Sequence, residues 1–395
     1  MSEIKVNSIK GVAASTAAIT VNNTDGTCTA NITNNLSNRN LIINGAMEVA
    51  QRATTNNTTG AQSTYHTLDR FMTQISVGTI TESQQDLATS DTPYTLGFRK
   101  YMRVLNQSGI SAATNQYLQI DQRIEAQNVA QSGWNYTSSS SFITVSFWVR
   151  ASVTQSYVGV LQTADGTERH YPFEISLTAD QWTKVSKTIP GDSGITVNND
   201  NGKGLTVSFI VYYGTQFTGG SGTFNAWNTT GSGLTRWPDM TTTWATTTNA
   251  TFDVTGVQLE VGSVATDFEH RSFGQELALC QRYFYMHTDG SIDGASNTTS
   301  VSDSMTVHSS AIAFGTITPP VTMRSKPSLY SVQTSGYFKY YNPNGNQTNI
   351  STLSLDSVTT RTSIVFYIDG SFTAGQAILL RAFDANAKLG FNAEL

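Results

Sequence analysis

The residues best suited to chemistry lie in one short run, "ATDFEHRSFGQELALCQRYF" (265–284). Only 13% of the 395 residues are charged, yet Asp267, Glu269, His270, Arg271, Glu276 and Arg282 gather here beside Cys280. Two chemistries need such groups. A thiol nucleophile needs a positioned histidine, and a glycosidase needs two carboxylates facing across a cleft. The spacing favours neither. Ser272 and Gln275 have the spacing of a capping box, and Phe273, Leu277 and Cys280 fall on one helical face. The run therefore predicts a short helix from 273 to about 281, with Cys280 as a small buried hydrophobe. Glu276 in the first turn and Arg282 at the end suit the helix dipole. Asp267, Glu269 and Arg271 alternate with Phe268 along an extended entry, a pattern that cross-links two domains at a seam. A domain joint outweighs an active site.

The elements on either side are strands. Thr, Ser, Asn and Gly replace much of the usual apolar share, while aromatics reach 10% and net charge is −5. That combination is ordered and all-β rather than disordered. In "FITVSFWVRAS" (142–152), Ile143, Val145, Phe147 and Val149 alternate with Thr144, Ser146, Trp148 and Arg150. The runs at 117–125, 156–162, 205–214 and 251–262 behave alike, separated by turns such as Asp165-Gly166 and Asn201-Gly202. These strands over 39–272 predict a jelly-roll β-sandwich. Further strands from about 285, with a hairpin candidate at Asn344-Gly345, predict a smaller C-terminal β-sandwich after the linking helix, the two filling 273–395. Residues 1–38 are thinly apolar and too few to bury themselves. They are expected to be an anchoring segment ordered by docking or by contacts between copies.

Other chemistries are poorly served. The acidic balance and the lack of a Lys/Arg cluster argue against nucleic acid. No apolar run approaches the roughly 18 residues needed to insert in a membrane, and no signal peptide is recognisable. Cys28 and Cys280 are too few and too distant for a disulfide framework. An exposed-type composition without an export signal suits a particle assembled in the cytoplasm and freed by lysis, as a virus is. His66, His170, His270, His287 and His308 lack metal-binding spacing. No cofactor is expected. Calcium is the one ion with a candidate, the oxygen-rich 198–204, for which a plain hairpin turn is the favoured reading. Asp121, Glu125, Asp253 and Glu260 stand on strands, with no sign in the sequence that any two face each other.

Sugar binding keeps a set of residues. Sugars offer C–H faces to aromatics and hydroxyls to polar side chains. The irregular segment 214–249 carries Trp227, Trp237 and Trp244 with Arg236 and Asp239, and long loops of this kind are often functional. These five are the carbohydrate-binding candidates. The plainer alternative, tryptophans plugging the sandwich ends or a subunit interface, carries more weight.

"NLIINGAMEVAQRAT" (40–54), "LDRF" (68–71), "GVQLEVGSVATDFEHRSFGQELALCQRYF" (256–284) and "PPVTMRSKP" (319–327) together resemble a family of bacteriophage tail-fibre and related virion surface proteins. Trp134, "VSFWVRAS", "QWTKVSKTIPGD" and "VQLEVG" make the middle domain similar to jelly-roll carbohydrate-binding modules. The resemblance implies a non-enzymatic homotrimer of the phage tail. Residues 1–38 would grip other phage structural proteins, and the sandwich loops would bind host surface glycan during adsorption. A decoration, baseplate or neck protein without a receptor is the alternative, and a glycan depolymerase a weaker one.

Overall fold

The computed structural model describes residues 8–9, 19–21, 28–30, 38–220, 222–229, 236–290 and 299–395. The chain is all-β, with short helices at Thr92–Thr95, Ala126–Ala130, Thr243–Thr246 and Phe273–Gln281 among the described residues. None is long and apolar enough to cross a membrane. The sequence signals only the last helix.

Two sheets make the larger body. One has six strands, in the order Thr183–Pro190, Phe142–Ala151, Thr251–Val261, Lys100–Ser108, Thr79–Asp86, Thr55–Thr59. The other has seven, in the order Asn228–Thr229, Arg169–Leu177, Gln155–Thr163, Lys203–Tyr213, Tyr117–Glu125, Phe71–Ile75, Gln62–Thr64. Neighbours pair antiparallel. The predicted alternation explains the packing. Ile143, Val145, Phe147 and Val149 all enter the core between the sheets. Phe147 meets Phe209 of the opposite sheet edge-on at 4.8 Å and Phe173 at 6.5 Å. Burying each such side chain contributes about 1.5–3 kcal/mol. Gly159 is required beside them, since a Cβ there would lie 2.3 Å from the Phe173 ring.

The strands from Phe284 to Asn392 form a second pair of sheets, of three and seven strands, around Phe366, Ile368, Leu380 and Phe391. The Asn344-Gly345 hairpin is present. Gly345 takes the left-handed conformation (φ 79°), and Phe338–Tyr341 pairs with Gln347–Asn349. Within 1–38, Ser8–Ile9, Ile19–Val21 and Cys28–Ala30 form a small antiparallel sheet. Most of the anchoring segment, and what it grips, lies outside the described residues.

The opening run sits where the two bodies meet. Ser272 Oγ accepts from Gln275 N, and Ser272 N donates back to Gln275 Oε1, so the capping box is complete. The buried face of the helix is Glu276 and Cys280. Phe273, expected on that face, is 59% exposed because it stands at the first turn, outside the contact. Arg282 donates twice to Glu125, at 2.7 and 2.8 Å, and the Tyr283 hydroxyl donates to the same carboxylate. Burial pushes the Glu125 carboxyl up, but the bonds from Arg282 and Tyr283 outweigh it and hold it below its ordinary range.

A second set of ions completes the joint. Glu394 pairs with Arg70 and, at 3.3 Å, with Arg52. The Arg70 guanidinium lies 3.5 Å over the Tyr283 ring and that of Arg52 lies 3.6 Å over Phe284. Arg324 donates to the carbonyls of Ala393, Glu394 and Asn201 at 2.6–2.8 Å. Arg52, Arg70 and Arg324 belong to three of the segments that carry the family resemblance.

Candidate functional site

The outer face of the seven-stranded sheet holds the strongest candidate. Along Tyr117–Glu125, Leu118, Ile120 and Ile124 enter the core, while Tyr117, Gln119, Asp121 and Arg123 face outward. The neighbouring strand Lys203–Tyr213 adds Lys203, Thr206 and Tyr213. A register shift between Ile210 and Tyr212 changes its phase, so Val211 and Tyr212 both enter the core and Tyr213 emerges outward. Gln74 and Gln162 come from the strands on either side.

The irregular segment after Gly214 folds back over this face. Arg236 N donates to Phe217 O and Gly219 N to Trp237 O. Trp237 is buried against Val158, Val160 and Ile210, with its ring stacked on Tyr213 at 5.2 Å. The part of the sheet face around Val158, Val160 and Ile210 is thereby sealed. Beside the seal a polar pocket of about 250 Å³ remains, bounded by Tyr117, Tyr213, Phe217 and Arg236.

The predicted tryptophans do not gather there. Trp237 is 1% exposed and forms part of the seal, and Trp244 is 0% exposed in the main core. Trp244 Nε1 donates to Thr251 O at 2.9 Å. Neither presents a ring face to a sugar, because each covers apolar sheet surface that would otherwise meet water. Trp227 is half-buried, edge-on to Tyr171 at 5.4 Å, and its Nε1 donates to Pro190 O at 2.7 Å. Asp239 is exposed, and its carboxylate accepts from Thr218 Oγ1 at 2.6 Å. Of the five candidates only Arg236 lines the pocket. The residues missed are its partners, Gln74, Gln119, Asp121, Arg123, Gln162 and Lys203. For Gln119, Asp121 and Arg123 the signal was the outward half of "YLQIDQRIE", polar at every second position; Gln74, Gln162 and Lys203 stand on neighbouring strands.

Asp121 is the pocket's one carboxylate. It accepts from Ser208 Oγ at 2.6 Å, from Gln119 Nε2 at 2.8 Å and from Gln74 Nε2. Burial raises its pKa, and those three bonds oppose the rise. The Tyr213 hydroxyl donates to Gln119 Oε1. Burial, and then the charge of Arg123, lower the Lys203 pKa.

The 265–284 run does more than fill a seam. Arg39, Asp267, Glu269, His270, Arg271 and Arg282 help to line an open groove of about 1310 Å³ beside the helix. Its groups are nonetheless committed. Glu269 accepts from Asn38 N and Asn40 N and lies 3.4 Å from Arg271. His270 meets Leu96 O at 3.1 Å and packs on Phe98 and Phe268. Cys280 is buried with Ile43, Val49 and Tyr283, and burial pushes its thiol well above the ordinary range, which suits no nucleophile.

The other strand carboxylates sit apart. Asp253 takes two bonds of 2.8 Å from Arg103 and one of 3.0 Å from Arg150, and Glu260 holds Thr266. In the turn 198–204, Asp200 accepts from Gly202 N, and Asn201 bonds the Arg324 backbone. The plain-turn reading accounts for these contacts. Among the described residues no group of three or more His, Cys, Asp or Glu could hold a metal.

No family model and no curated protein matches the chain. Solved structures match weakly. One holds the CBM22-1 and GH10 modules of a Clostridium thermocellum endo-1,4-beta-D-xylanase with xylohexaose. It is 10% identical over 52% of this chain and 28% of that chain, with TM-score 0.25. The tandem CBM22-1–CBM22-2 domain of a Paenibacillus barcinonensis protein is 8% identical over 86% and 95%, with TM-score 0.26. TmCBM61 with beta-1,4-galactotriose is 9% identical over 57% and 99%, with TM-score 0.24.

Proposed function

We propose that this chain is a non-enzymatic glycan-binding protein of the bacteriophage surface, a trimeric tail fibre whose larger sandwich docks on host sugars. The observation that carries the sugar reading is the pocket over Asp121. Aromatic edges from Tyr117, Tyr213 and Phe217 stand around the amides of Gln74, Gln119 and Gln162, a set that suits C–H faces and hydroxyls together. At about 250 Å³ it is smaller than the sites of drug-sized ligands, roughly 300–1,000 Å³, and suits a single sugar residue. Hydrolysis would ask for a second carboxylate across the sugar, and Asp121 stands alone there among the described residues. Weak binding per site would be raised by three copies and several fibres.

The phage setting rests on the resemblance alone. The segments 40–54 and 256–284 interlock: Leu41 N donates to Leu259 O, Val257 N to Gly45 O, and Arg271 to Ile42 O. Because these shared segments are mechanical, a decoration or baseplate protein without a receptor is the second reading.

Whole-cell adsorption with purified chain as competitor tests the proposal. Blocked adsorption and binding to host polysaccharide, without new reducing ends, are the expected results. A chain that binds no cells leaves the structural reading, and released oligosaccharide would make it a depolymerase. Sedimentation of the full chain at three protomer masses is expected for the fibre.

A further inference from the structure

The charges around the pocket identify the class of sugar. Three cations, Arg123, Lys203 and Arg236, line it against the single carboxylate of Asp121. That carboxylate is already met by Ser208, Gln119 and Gln74. Among the described residues no ion pair joins Lys203 or Arg236 to an Asp or Glu, while Arg123 donates to Leu395 O at 2.6 Å. The Nε of Arg123 and the Nε of Arg236 are both buried with no acceptor. A buried N–H without a partner is costly, and a buried cation more so. An anionic ligand oxygen would relieve both.

We propose that the pocket selects an acidic sugar, a ring bearing a carboxylate, with Arg236 and Lys203 as its specificity-determining residues. The inference rests on the glycan-binding reading above. A guanidinium meets a carboxylate with parallel, charge-assisted bonds, and an ammonium adds a point charge. The flanking glutamines and tyrosines leave the remaining hydroxyls to be recognised. A nucleic acid is the wrong polyanion for this chain, whose net charge of −5 opposes a long phosphate backbone.

The test is an array of acidic oligosaccharides, including oligogalacturonate, oligoglucuronate and sialyllactose, each printed beside its carboxyl-reduced neutral form. Hits are then titrated by calorimetry with the full chain. The acidic member is expected to bind about tenfold or more tighter than its neutral twin, the size of one charge-assisted hydrogen bond. Added salt should weaken that preference. Lys203→Gln and Arg236→Gln should each remove about a tenfold share while leaving thermal unfolding in place. Equal binding of acidic and neutral twins, or a preference for the neutral one, keeps the glycan reading and sinks the acidic one. Binding of neither sinks both. Competition by inorganic sulfate as strong as that of the sugar acid would show a bare anion site and overturn selection of a sugar.

Discussion

The joint and the pocket are both rich in arginine, and they treat it oppositely. At the joint four guanidiniums meet carboxylates and a fifth, Arg324, is met by carbonyls: Arg282 has Glu125, Arg70 and Arg52 share Glu394, and Arg271 lies 3.6 Å from Glu276. At the pocket, Lys203 and Arg236 form no ion pair with an Asp or Glu among the described residues, and Arg123 spends one nitrogen on Leu395 O. Paired ions of this kind hold pieces of chain together. On our proposal, the pocket cations without an acid are kept for a ligand.

The largest effect is expected from breaking a pair at the joint. Arg70→Ala leaves the buried Glu394 carboxylate with Arg52 alone, at 3.3 Å, and uncovers the Tyr283 ring, and should cost about 3 kcal/mol in chemical denaturation. A loss below about 1 kcal/mol would mean that the joint ions are ornamental.

Glu82 sharpens the contrast, being an acid without a cation. It is 0% exposed on the core face of the six-stranded sheet, where Thr58 Oγ1 donates to it at 3.1 Å and Thr73 stands near. Burial raises its pKa from 4.5 to about 7. The folded state therefore holds this proton more tightly than the unfolded chain. Its contribution is complete below pH 4.5 and is lost as pH rises through about 7. Glu82→Gln should flatten that slope in urea titrations at several pH values, a change on the order of a few kcal/mol. An unchanged slope would refute the assignment.

Ser272→Ala removes the cap of the joint helix and should cost about 1 kcal/mol, read as a lower unfolding midpoint. Lys203→Gln should move stability by less than about 0.5 kcal/mol, since among the described residues its ammonium makes no ion pair with an Asp or Glu. A large destabilisation would reassign the pocket cations to structure.

Much of the fold was legible because sheet burial writes a period of two into the chain, as at Ile143, Val145, Phe147 and Val149. The site was harder to read. Tryptophan in an irregular segment suggests a sugar platform, yet Trp237 and Trp244 were consumed in covering apolar strands. The polar residues that remained in the pocket lie on regular strands, where alternation assigns a face but not a neighbour. The phase change at Tyr212 and Tyr213 has no mark in the sequence. Nor does Glu394, whose partner Arg70 is 324 positions earlier.

That separation sets an order of events during synthesis. At about 5–20 residues per second, Arg70 leaves the ribosome roughly 15–65 s before Glu394 does. Through that interval Arg70 must stay hydrated or find an interim counter-ion, while Arg52 has Asp69 at 3.7 Å. The larger body thus matures in two stages, and the late arrival of one acidic side chain certifies that everything between has been made.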